Sequence, residues 1–77
     1  LDFARGYISL DFTGQFAVLR TLNGHADSVA IAIDNLNIDA VMGTVAGDDT
    51  VFVALREDIS REEFLSTLRE RVPEFDD

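Results

Sequence analysis

Two short segments of this chain are apolar on both faces, and that pattern narrows the folds open to it. In residues 16–22, Phe16 and Val18 share one face of an extended strand, while Ala17 and Leu19 share the other. In residues 50–55, Val51, Val53 and Leu55 point one way, and Phe52 and Ala54 the other. Strands of this kind belong in the covered middle of a sheet, because a solvent-facing strand alternates apolar with polar. With 77 residues the chain is about half the common domain size, so it forms one small domain around one sheet.

The remaining segments supply that sheet and its cover. Residues 7–13 alternate, with Ile8, Leu10 and Phe12 on one face and Ser9, Asp11 and Thr13 on the other. Gly14-Gln15 makes a two-residue turn into the second strand. Gly24 opens a helical pattern, in which Ala26, Val29, Ala30, Ile33 and Leu36 form one apolar stripe opposite Asp27, Ser28, Asp34 and Asn35. Asn35, Asn37 and Asp39 are turn formers that end it. A third strand over residues 41–45 runs through an Ala46-Gly47-Asp48-Asp49 turn into the fourth at 50–55. Ser60 followed by Glu63 is a capping box, opening a helix with the stripe Phe64, Leu65, Leu68 and Val72, closed by Pro73. Residues 74–77 add an acidic tail. The predicted fold is α+β: a two-layer ββαββα arrangement, four strands with two helices on one face. Two helices cover such a sheet only once. The outer residues, read as Ala17, Leu19, Phe52 and Ala54, then predict self-association.

Composition excludes several partners. Six Lys+Arg against fifteen Asp+Glu give a formal net charge of −9. Phosphate backbones are gripped by clustered cations, so no measurable DNA affinity is expected of this chain alone. The same shortage disfavours an anionic membrane surface. Zero cysteines exclude disulfides, thiolate metal sites and cysteine nucleophiles. The longest apolar runs, residues 29–33 and 51–55, fall far short of a bilayer span. The chain starts at Leu1 rather than Met and shows no signal-peptide pattern, so it reads as a fragment of a longer protein.

Two features carry possible chemistry. One is Gly43-Thr44-Val45-Ala46-Gly47-Asp48-Asp49-Thr50, which puts two adjacent carboxylates in a tight turn. The other is Asp27 with Asp34, seven residues apart on one helix face, roughly 10 Å along the axis. If that helix packs beside the third strand, four carboxylates converge on one opening. Turn chemistry alone explains an Asp-Asp pair, since each side chain can bond nearby backbone amides. Crowded carboxylates otherwise call for a counter-cation, metal or organic. His25 lacks a nucleophile partner and reads as a surface or interface residue, not a catalyst. Arg56, Arg61, Arg69 and Arg71 read as a solvated face with local ion pairs. No dinucleotide, Walker or HExxH motif occurs.

Asn23-Gly24-His25-Ala26-Asp27, then Ile33-Asp34-Asn35-Leu36, then Met42 through Thr50 carry a resemblance. Together they resemble the C-terminal domain of bacterial arginine repressors, over about Tyr7 to Val72. The resemblance implies a ββαββα fold that forms trimers pairing into hexamers, with L-arginine as corepressor ligand between the trimers. It implies a cytoplasmic regulator of arginine biosynthesis genes, not an enzyme, with no metal and no membrane partner. Operator DNA would be read by a separate N-terminal winged-helix domain absent from this chain, so residues 1–77 are one arginine-binding and oligomerisation domain. By position, Asp48 and Asp49 match the family's paired arginine-binding aspartates, and Asp34 the helix aspartate lining the same pocket. Gly24, His25 and Ala26 match the backbone segment that approaches the ligand's amino-acid end. Asp27 stands where many members carry a ligand-contacting glutamine; an acid there accepts from the ligand's ammonium group. Two readings of other classes compete: a small metal-dependent enzyme using Asp48, Asp49 and Asp34, and an assembly domain whose acidic turn binds nothing.

Overall fold

A computed structural model describes residues 7–72 of the chain. Its elements follow the order β1 (Tyr7–Thr13), β2 (Phe16–Thr21), α1 (Ala26–Asn35), β3 (Val41–Gly47), β4 (Thr50–Leu55) and α2 (Arg61–Arg71). The four strands form one antiparallel sheet in the order β1-β2-β4-β3. The predicted α+β fold is therefore present, with β2 and β4 at the centre as their two-sided apolar pattern requires. The third strand is two residues longer than expected. Ala46 and Gly47 pair with Val51 and Thr50, which leaves only Asp48-Asp49 to make the turn.

Register decides which face each side chain takes. Ala17 pairs with Val53 and Leu19 with Val51, whereas Phe16 pairs with Ala54 and Val18 with Phe52. Ala17, Leu19, Val51 and Val53 are wholly buried and share one core with Val29, Ile33, Phe64, Leu68 and Val72. Both helices therefore cover the same face. This corrects part of the sequence expectation: Ala17 and Leu19 are core, and the outer face of β2 is Phe16 and Val18. Phe52 and Ala54 do lie outside. An alternation with apolar residues at every position cannot choose its own inner face; only the partner strand does. A register shift between Tyr7 and Ser9 likewise turns Ile8 away from Leu10 and Phe12, leaving it exposed.

Local chemistry explains the element ends. Gly14 opens the β1–β2 turn at φ +55°, a conformation that glycine adopts without steric cost. Asn37, at φ +53°, follows α1 as a left-handed residue, its amide donating to the Asp34 carbonyl at 3.2 Å. The capping box of α2 forms as predicted. The Glu63 amide donates to Ser60 Oγ at 3.1 Å, and the Ser60 amide to Glu63 Oε1 at 3.0 Å. Pro73 and the acidic tail lie outside the described residues. The arginines are not simply a solvated ion-paired face. Arg71 donates to the Leu36 carbonyl at the end of α1, Arg56 Nε to the Asp39 carbonyl, and Arg61 lies 5.3 Å over the Phe12 ring. Orphan carbonyls and an aromatic face compete successfully for these cations.

Candidate functional site

The two-residue turn Asp48-Asp49 packs against the start of α1, and the bonds between them define the site. Asp48 adopts φ +48°, a left-handed conformation in which a short polar side chain is tolerated. Its carbonyl accepts from the Gly24 amide at 3.1 Å and the Ala26 amide at 3.0 Å. Its carboxylate Oδ1 accepts from the Gly24 amide as well, at 3.2 Å. His25 occupies the N-cap of α1 but makes no side-chain cap bond. Asp48 therefore does that work from across the fold, satisfying an orphan donor and setting negative charge at the positive end of the helix.

Asp49 faces the other way. Its Oδ2 pairs with Arg20 Nη2 at 3.0 Å, and its Oδ1 accepts from the Thr50 hydroxyl at 2.9 Å. Its carbonyl accepts from the Thr21 amide at 2.8 Å, which ties the turn to the end of β2. The Thr50 hydroxyl, and after it the Arg20 guanidinium, hold the Asp49 carboxyl below its ordinary value of 3.8. Asp49 is thus ionised and already partnered within its own chain.

The other expected site residues lie apart from this turn. Asp34, near the end of α1, accepts from the Thr44 hydroxyl at 3.0 Å. It borders a cleft with Asn37, Asp39, Met42, Gly43 and Arg56, which neither Asp48 nor Asp49 lines. Ala26 and Asp34 stand eight residues apart, roughly 12 Å along a helix. Asp27 is exposed in the first turn. The expected convergence of four carboxylates on one opening therefore fails within a single protomer. Among the described residues, no three His, Asp or Glu side chains group closely enough to hold a metal ion. The segment at 24–26 does reach the turn, but its amides are occupied: His25 donates to the Leu22 carbonyl at 3.0 Å, and Gly24 and Ala26 donate to Asp48.

Sequence reasoning missed Arg20, Thr44 and Thr50 as partners of these carboxylates. Only Thr50 carried a local signal, as the residue next to Asp49. Arg20 reaches the turn because β2 pairs with β4 and sets Arg20 opposite Thr50, a pairing between strands distant in sequence.

Fold and site together define a small two-layer α+β domain with carboxylates presented on a hairpin turn. The family described as the arginine repressor, C-terminal domain, matches residues 3–70, and the chain belongs to it. An arginine repressor of Bacteroides fragilis is 52% identical over 52 residues, 68% of this chain and 33% of that protein. One of Phocaeicola vulgatus is 46% identical over 56 residues, 73% of this chain and 35% of its own length. One of Thermotoga petrophila is 45% identical over 60 residues, 78% and 40% respectively. The chain thus spans about a third to two fifths of the length of these relatives. They are named for repression, not for a catalysed reaction. No helix among the described residues is long and apolar enough to cross a membrane.

Proposed function

We propose that this chain is the arginine-sensing and self-association domain of a cytoplasmic transcription regulator of arginine metabolism. The observation that carries the reading is the Asp48-Asp49 turn of a repressor-family chain, fixed against the start of α1 with carboxylates at the surface. A guanidinium is the cation such a pair suits. Its donors form a planar fork, and bonds between charged groups are the strong ones.

In this reading Asp48 and Asp49 take the guanidinium of L-arginine. Asp34 belongs to the same pocket through a neighbouring copy, because within one protomer it stands at the far end of α1. Asp27 and the carbonyl side of Gly24, His25 and Ala26 meet the ammonium end, the amides there being engaged already. Acidic turns from several copies repel when brought together, and a cation shared between them offsets the repulsion. Binding and assembly are then one linked equilibrium, trimers pairing into hexamers as arginine fills the sites between them. Operator DNA is contacted by a separate winged-helix domain, which arginine occupancy positions through the assembly.

The test is calorimetric titration of wild type and Asp48→Asn with L-arginine, and separately with Mg²⁺. Asparagine keeps the shape and the oxygen that accepts from Gly24 while removing the charge. Losing one bond between charged groups weakens arginine binding about ten- to a hundredfold. Equal arginine affinities for the two proteins would remove Asp48 from the site. Heat on addition of Mg²⁺ but none with arginine would replace the whole reading with a metal site.

A further inference from the structure

The link between β2 and α1 contains Asn23-Gly24, and of the three asparagines in the chain only Asn23 is followed by glycine. Both residues are exposed. The His25 amide donates to the Leu22 carbonyl at 3.0 Å and Gly24 sits at φ +81°, which makes Leu22 to His25 a type II turn. Asparagine before glycine is the reactive pair for spontaneous deamidation, because glycine puts no side chain in the way of its own amide nitrogen. We propose that Asn23-Gly24 is a deamidation site that the fold holds shut, with Asp48 guarding the attacking nitrogen.

The reaction needs only water and hydroxide. Hydroxide takes the proton of the Gly24 amide, and the nitrogen attacks Cγ of Asn23. The new N–Cγ bond closes a succinimide ring, while the Cγ–Nδ2 bond breaks and the departing nitrogen takes a proton from water to leave as ammonia. Water then opens the ring at either carbonyl, giving aspartate or isoaspartate.

The closed structure opposes the attack twice. The Gly24 N–H is donated to the Asp48 carbonyl at 3.1 Å and to Asp48 Oδ1 at 3.2 Å. A carboxylate beside that N–H disfavours loss of its proton, since the resulting anion would face a like charge. The ring also needs the Gly24 nitrogen swung toward Cβ of Asn23, whereas the second residue of a type II turn holds ψ near about +120°, which points it away. Sterics add no protection, because a Cβ at Gly24 would meet nothing within 4 Å. Conversion therefore proceeds from the opened loop, and the side-chain amide does not re-form. Aspartate adds a negative charge to a chain already at −9. Isoaspartate routes the main chain through Cβ, which lengthens the turn and displaces the Gly24 and Ala26 amides from Asp48.

The experiment ages the 77-residue chain at mildly alkaline pH and follows the exchange of ammonia for water by intact mass. Chromatography of the peptide holding residues 23 and 24 separates aspartate from isoaspartate. Folded wild type should convert about tenfold or more slowly than the same chain in denaturant, because only the open fraction reacts. Asp48→Gly keeps the carbonyl and tolerates the left-handed backbone while removing the carboxylate. With its fold verified by circular dichroism, it should convert about two- to tenfold faster than wild type, the change expected when an exposed bond to a charged group is lost. Asp48→Asn, neutral and of the same shape, should lie between them and serves in its place if glycine unfolds the domain. Hydrogen exchange at the Gly24 amide should quicken in the same order, a readout independent of the chemistry. Asn23→Gln should lose the signal. Equal rates in folded and denatured wild type, or wild-type rates in the folded Asp48 variants, overturn the guard. A mass change undiminished in Asn23→Gln, or absent from the denatured chain, removes the site itself.

Discussion

Asp48 holds a left-handed backbone that most residues avoid, and its bonds to Gly24 and Ala26 are what hold it there. Position 24 matters in the same way. Gly24 sits at φ +81°, where any side chain is strained even though the surrounding space is open. At Asp49 the physics is electrostatic, and it makes a prediction about pH. The Thr50 hydroxyl and then Arg20 favour the charged carboxylate, so the folded-state pKa lies below the ordinary 3.8. A group depressed in the folded state contributes stability that is present above its unfolded pKa and lost as pH falls through its folded one. The loss from Asp49 is therefore confined to pH below about 4, and the neutral range is untouched. In an NMR titration the Asp49 carboxyl should have its midpoint under 3.8 in wild type and a higher midpoint in Thr50→Val. An unmoved midpoint in that variant would show that the hydroxyl bond is not what lowers it.

At the scale of elements, the two helices begin by different means. α1 has no side-chain cap of its own and borrows the carbonyl and carboxylate of Asp48. α2 carries a complete capping box, closed within four consecutive residues. Ser60→Ala removes the acceptor for the Glu63 amide, so the domain should lose about 1 kcal/mol in a denaturant melt, with arginine affinity unchanged. A loss of affinity in that variant would mean that α2 supports the site directly. The contrast between the helices also explains what the sequence made legible. The α2 cap, the Gly14 turn and the end of α1 are built from neighbours in the chain, and all three were readable. Which face of β2 is buried was not, because Phe16, Ala17, Val18 and Leu19 are apolar in succession and only pairing with β4 sorts them. The site divided along the same line. Asp48 and Asp49 read as a pair because they are adjacent, and only the family resemblance joined the segment at 24–26 to them, whereas Arg20 and Thr44 join their carboxylates through β2–β4 pairing and α1–β3 packing. The expected four-carboxylate opening erred for a related reason. Helix periodicity put Asp27 and Asp34 on one side of α1 but gave no account of how far Asp34 lies from the turn.

At the scale of the whole molecule, the described residues give the sheet one covered face and leave the other bare. On the bare face Phe16, Val18, Val45, Phe52 and Ala54 lie across three adjacent strands, with the Phe16 and Phe52 rings 6.3 Å apart. Val45 is 73% exposed and Phe52 50%. Asp11 and Thr13 on β1 and Arg20 at the other end give this apolar centre a polar border, the anatomy of an interface. Exposed Leu or Ile residues scattered singly need no explanation, but a contiguous patch does. A second copy is a suitable cover, because an apolar sheet face on each protomer is complementary to itself. The net charge of −9 opposes association at long range, so added salt should strengthen it by screening. The variant that isolates this face is Phe52→Asp. Phe52 points away from the core of Leu19, Val53 and Phe64, so the fold should survive, as circular dichroism would verify. A carboxylate at that position would have to be desolvated in any interface and would face its copies there. Sedimentation equilibrium at tens of micromolar should find wild type associated and Phe52→Asp monomeric. If a folded Phe52→Asp associates as wild type does, the sheet face is not the contact, and assembly must run through the helices and the acidic turn alone.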